Sequence, residues 1–149
     1  MTIQQSAINE NQVGQAKGTP LEDDVRKNFQ GETAEVGLYL AMALQAQRDG
    51  YPEIAEVLRS IAWDEAQHAA RYALLNGMVS SSTKDNLAKM LAGERASNRA
   101  KREAAVRARE AAGDETHEVF DDTSRDEARH AKALAGILLR YFGVQLEDQ

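Results

Sequence analysis

Shifted by 62 positions, this chain matches itself. Gly31 and Glu32 fall on Gly93 and Glu94, Ala34 on Ala96, Glu53 on Glu115, Glu56 on Glu118 and Val57 on Val119. Asp64, Glu65, Ala66, His68 and Ala69 fall on Asp126, Glu127, Ala128, His130 and Ala131, with no gap needed anywhere. Residues 21–81 and 83–143 therefore read as two copies of one unit. Two copies are too few for a solenoid, in which each repeat is covered by a neighbour on either side. The fold must instead close one copy's apolar surface with that of another.

Each copy reads as a helical hairpin. Alanine is abundant, the chain has only two prolines, and aromatics make up 5% of it, so local propensity favours helix over strand. Thr19, Pro20 and Glu22 in "TPLE" suggest a cap, a first helical residue and a capping box, opening a helix that runs to about Asp49. "DGYP" stops it at Gly50 and restarts a second helix at Pro52, which runs to about Asn76 before Gly77. A third helix is expected from Ser82 or Thr83 to just before Gly113, and a fourth, capped by Asp114, to Gly143. Residues 1–18 are polar and without periodicity and are expected to form a flexible arm, with one domain over 19–149. The fold class expected is all-α: a ferritin-like four-helix bundle built from two repeated hairpins.

Several function classes are excluded by composition. A net charge of −6 argues against nucleic acid or an anionic membrane surface as partner. No apolar run approaches the roughly 20 residues of a membrane span. The start, "MTIQQSAINENQVGQAKG", lacks the basic and apolar segments of a secretory signal, so a soluble cytoplasmic protein is expected. Without cysteine, disulfides, thiolate metal sites and thiol nucleophiles are all ruled out.

The chemistry sits at the repeated positions. Two of the three histidines occur in "WDEAQHAA" and "RDEARHAK", each three residues after a glutamate. On a helix, i and i+3 share a face, so Glu65 with His68, and Glu127 with His130, can act together. Glu32 and Glu94 occupy equivalent points on the first and third helices. One Glu-x-x-His alone reads as an ordinary surface pair. Two at one offset, joined by two Gly-Glu pairs at the same offset, read as a site of four carboxylates and two imidazoles. That donor set suits a pair of iron or manganese ions, and its distribution over four helices is that of di-iron carboxylate bundles. His117 has no counterpart in the other copy and reads as a first-turn surface residue.

The segments "FQGETAEVGLYLA", "GYPEIAEVLRSIAWDEAQHAARY", "LAGERA" and "RDEARHAK" resemble the rubrerythrin family of ferritin-like proteins, over residues 21–143. The resemblance implies a pair of iron ions, with manganese or zinc as substitutes, reduced from outside and reoxidised by hydrogen peroxide or dioxygen to give water. It implies that Glu65 and Glu127 bridge the ions, that Glu32 and His68 serve one, and that Glu94 and His130 serve the other. Rubrerythrins usually carry a cysteine-rich rubredoxin domain. This chain has no cysteine, so its electrons are expected from a separate rubredoxin-like protein or reductase. The family also has an extra glutamate three residues after the third-helix ligand. Here that position is Ser97, and the extra carboxylate is Glu35, three after Glu32, which makes Glu35 a candidate seventh ligand.

Other positions read two ways. Tyr39, two turns beyond Glu32, is either packing or, by the resemblance, a hydrogen-bond donor near the iron; its equivalent is Lys101. Trp63 is expected in core or interface packing. The basic run "RASNRAKREAAVRARE" reads as a solvated helix face or a docking patch for an acidic electron donor. The connector after the second helix is short for the long crossover of a ferritin-like bundle, so a domain-swapped homodimer is expected. A peroxide reductase heads the functional readings, beside a ferroxidase or oxidase, an iron-storage protein and a manganese catalase.

Overall fold

The computed structural model describes residues 13–111 and 113–145. The fold is all-α: α1 (Glu22–Arg48), α2 (Pro52–Leu75), α3 (Thr83–Ala111) and α4 (Asp114–Phe142), with no strand among the described residues. The chain divides between Ser81 and Ser82 into two compact units. In the first unit α1 packs on α2; in the second α3 packs on α4.

Helix boundaries follow the glycines. Gly50, Gly77, Gly113 and Gly143 all have positive φ, which a residue with a Cβ adopts only under strain. The starts are less faithful to the sequence reading. α1 begins at Glu22, with Leu21 at the cap position, so Pro20 lies before the helix. The Glu22 carboxylate does reach back, but to the Gly18 N–H at 2.6 Å rather than to Thr19. At α4 the cap position is Gly113, and Asp114 is the first helical residue.

Each hairpin closes along a seam of buried residues, spaced seven apart on α2 and α4, all alanine on α2 and mixed small residues and leucine in the second hairpin. In the first, Ala55, Ala62 and Ala69 of α2 are buried, with Ala43 of α1. In the second, Ser124, Ala131 and Leu138 of α4 are buried, with Leu91, Ala105 and Ala108 of α3. Alanine at such positions lets two helices approach closely, but it buries little apolar area per residue. Ser124 satisfies its hydroxyl by donating to Asp121 O (2.7 Å), so it can sit at a seam position without an orphaned donor. His117, expected at the surface, takes the seam position that Ala55 holds in the first copy. It is half-buried, with Nδ1 2.7 Å from Ala105 O and Nε2 2.7 Å from an Arg109 nitrogen, and so ties α4 to α3.

Of the arm expected over residues 1–18, residues 1–12 lie outside the described residues. Residues 13–18 are held against the end of α2: Gly14 N donates to Leu74 O (2.8 Å) and Ala16 N to Leu75 O (2.9 Å). These bonds supply partners to carbonyls that a helix C-terminus leaves open. Glycine suits both sides of the contact: Gly14 and Gly77 each have positive φ, and a Cβ on Gly77 would crowd Gly14 Cα at 3.3 Å.

Small seams leave large side chains outside. Leu38 and Met42 on α1 are 62% and 52% exposed, and Trp63 on α2 is 66% exposed, so Trp63 is not a core residue of its hairpin. Among the described residues no helix is long and apolar enough to cross a membrane.

Candidate metal centre

Each hairpin gathers three of the residues singled out by the repeat. In the first, Glu32 projects from α1 toward Glu65 and His68 on α2; in the second, Glu94 projects from α3 toward Glu127 and His130 on α4. Within each trio one donor atom from every residue lies within 4.8 Å of the others. His68 Nδ1 is 2.9 Å from Glu65 Oε2 and 3.5 Å from Glu32 Oε2. His130 Nδ1 is 3.5 Å from Glu94 Oε2 and 3.6 Å from Glu127 Oε2. The carboxylates are the more enclosed members and the imidazoles are half-exposed.

Two carboxyl groups side by side cannot both ionise freely without a cation between them. The effect is visible in both trios. A hydrogen bond shared with Glu65 pushes the Glu32 carboxyl above its ordinary range, and the same bond, with that from His68, holds Glu65 below it. Glu94 is pushed up by its hydrogen bond with Glu127. Glu127 is held down to about 2, by that bond first and by Lys101 next. His68 is raised, chiefly by its bond to Glu65.

The donor set fits a metal. Glu94 Oε2 is buried and accepts no hydrogen bond, since His130 at 3.5 Å is an electrostatic neighbour only. Such an orphaned carboxylate oxygen is expensive in a folded protein unless a cation meets it. Two carboxylates and one imidazole on each hairpin form a hard oxygen and nitrogen environment suited to iron or manganese.

Two expected residues stand outside these clusters. Glu35 is exposed on α1, and no carboxylate–histidine cluster among the described residues includes it. It shares a face with Leu38 and Met42, three and seven residues on, which α2 leaves uncovered. Tyr39 is half-buried, and among the described residues its hydroxyl makes no hydrogen bond to the cluster. Lys101, its counterpart in the second copy, does join the site, through an ion pair of Nζ with Glu127 Oε1. The sequence carried that signal: Lys101 is seven residues beyond Glu94 and so lies on the same helix face.

Four helices in two hairpins, each offering Glu, Glu and His from matched positions, place the chain in the ferritin-like four-helix class of carboxylate–histidine metalloproteins. Comparison with known proteins narrows this. The sequence model of the Rubrerythrin family matches residues 23–84, which span the first hairpin and its connector. An uncharacterized protein of Methanocaldococcus jannaschii is 58% identical over 135 residues, covering 91% of this chain and 96% of that protein. Reverse rubrerythrin-1 of Clostridium acetobutylicum is 44% identical over 136 residues, covering 89% of this chain and 75% of that protein. The chain belongs to the rubrerythrin family, whose members are typically di-iron enzymes.

Proposed function

We propose that this protein is a di-iron oxidoreductase that reduces hydrogen peroxide to water, with dioxygen as the alternative oxidant and a separate protein as electron donor. The observation that carries the reading is the pair of matched trios, Glu32–Glu65–His68 and Glu94–Glu127–His130, the second with a buried carboxylate oxygen, Glu94 Oε2, that has no partner. Held by these residues, a pair of iron ions would supply two electrons and Lewis-acid polarisation to one O–O bond. With two protons, peroxide then gives two waters. Glu65 and Glu127, each in contact with a second carboxylate and an imidazole, would be shared between the ions, while Glu32 with His68, and Glu94 with His130, would hold the separate ions. Tyr39 offers a hydroxyl to orient a bound oxidant, and Glu35 a further carboxylate.

The assembly proposed is a domain-swapped homodimer, in which the first hairpin of one chain pairs with the second hairpin of the other. A ferritin-like crossover must return along the bundle from the end of α2 to the start of α3. Those ends lie seven residues beyond His68 and eleven before Glu94, a span of roughly 27 Å at about 1.5 Å per residue. The connector is residues 76–82, and its start is already committed: Gly77 N bonds to Leu74 O (3.1 Å) and Met78 N to Ala73 O (3.0 Å). Residues 79–82 then reach only about 14 Å when extended. A second chain removes the need for the crossover.

The donor proposed is an acidic rubredoxin-like protein or reductase, in the cytoplasm. Arg95, Arg99, Arg102 and Arg109 recur at helical spacing along one face of α3, a basic stripe in a chain of net charge −6. Such a stripe steers an acidic partner to the hairpin that holds Glu94.

The deciding experiment is anaerobic reduction of the iron-loaded protein, followed by stopped-flow mixing with peroxide and, separately, with air-saturated buffer. Reoxidation by peroxide well ahead of dioxygen, without oxygen evolution, is expected. Preferential reaction with dioxygen would make the protein an oxidase or ferroxidase, and rapid oxygen evolution without reductant a manganese catalase.

A further inference from the structure

The second hairpin carries an open cavity of about 510 Å3 that none of the six trio residues lines. Arg95 of α3 and Lys132 of α4 border it, over an apolar floor that includes Ala135, Leu139 and Val144. No acidic residue lines it, and among the described residues neither cation makes an ion pair. In a chain of net charge −6, that leaves two positive charges beside an apolar surface with no carboxylate to meet them. Neither cation has a counterpart in the first copy, where the equivalent positions are Thr33 and Ala70. The positions equivalent to Gly136 and Leu139 are Leu74 and Gly77, and residues 13–18 cover these: Gly14 N donates to Leu74 O and Gly14 packs on Gly77. The first copy thus closes this end of its hairpin with its own chain. Among the described residues the second copy leaves it open and adds two charges.

We infer that this cavity binds a small organic anion, whose carboxylate or phosphate head lies between Arg95 and Lys132 and whose apolar body rests on Ala135, Leu139 and Val144. The volume falls within the range of small-molecule sites, roughly 300–1,000 Å3. A guanidinium matches two oxygens of either head group at once, and the lysine ammonium adds a point charge. Charge alone would serve a free inorganic ion equally well. The floor does not: it rewards an apolar body by about 25 cal/mol for each Å2 removed from water. The site stands apart from the metal centre, because Lys132 is two residues past His130, about 200° round α4. Its failure and that of the metal reading are therefore distinguishable.

The test is an NMR titration of the full 15N-labelled chain, treated with a chelator so that no bound iron competes for the anions. Phenyl phosphate and phenylacetate set a phosphate head against a carboxylate head. Inorganic phosphate removes the body, and benzyl alcohol removes the charge. One of the first two should saturate a single site, at least about tenfold more tightly than inorganic phosphate, the order expected for burying part of one ring. Amide shifts should centre on Arg95, Lys132, Gly136 and Leu139, and benzyl alcohol should not saturate. Arg95→Gln and Lys132→Gln should each weaken binding at least about fivefold, as expected for one charged hydrogen bond. Leu139→Asn should weaken the aromatic probes and leave inorganic phosphate unchanged. Circular dichroism on every variant checks that the helices persist. Neither aromatic anion binding more tightly than inorganic phosphate, shifts that centre elsewhere, or a Lys132→Glu variant with helices and affinity both intact would each overturn the inference.

Discussion

Glu65 and His68, one turn apart on α2, meet at 2.9 Å from Oε2 to Nδ1. The contact places an imidazole beside two carboxylates, which raise its pKa above the ordinary histidine value. A metal ion bound there would compete with a proton on the ring, and the same two side chains would turn from mutual partners into two ligands. The pair is thus a direct readout of whether the site is loaded.

The first prediction is a pH dependence of the metal-free protein. His68 is raised above its ordinary value, so its protonated form is favoured in the folded state. That contribution to stability is fully present below the unfolded value of about 6.5 and is lost as pH rises through the raised folded value. His68→Gln should therefore destabilise the chelator-treated protein most below pH 6.5, with the difference from the native chain fading in alkaline solution. Urea unfolding at acid and alkaline pH measures this. A difference constant across the range would show that the imidazole acts through packing alone.

Metal content should depend on the shared glutamates. Glu65→Ala and Glu127→Ala each remove a carboxylate that contacts both other members of its trio, and each should leave the protein with little bound iron. Loss of one histidine should weaken one ion more than the other. Elemental analysis after iron loading decides the matter, and full content in both glutamate variants would refute the assignment.

Glu35 lies on the face of α1 that carries exposed Leu38 and Met42. If that face is covered by another hairpin in the assembled bundle, Glu35 is brought toward the metal pair. Glu35→Ala should then retain most of its iron while peroxide turnover slows at least several-fold. Unchanged turnover would make it an ordinary surface acid.

Exchange of hairpins between chains is tested by complementation. Glu65→Ala chains and Glu127→Ala chains, unfolded and refolded together, should recover part of the activity that neither has alone. In a swapped mixed dimer one site keeps both glutamates and the other loses both. A monomer at micromolar concentration that binds both metals would exclude the swap.

The sequence by itself determined what depends on local periodicity. Helix spacing puts Glu65 with His68 and Glu127 with His130 on one face whatever surrounds them. Glycine's freedom at positive φ stops α2 at Gly77 and α4 at Gly143, and the repeat names all six residues of the two trios. What the tertiary structure decided are the distances across helices. It brings Glu32 within 3.5 Å of a histidine 36 residues away and turns Lys101 onto Glu127. It sets His117 into a seam whose equivalent residue is alanine, and holds residues 13–18 on the end of α2. Those contacts depend on how closely two helices pack and in what register. Neither quantity is encoded in the spacing of residues along one helix, because small seam residues such as Ala62 and Ser124 fix them only once the partner helix is in place.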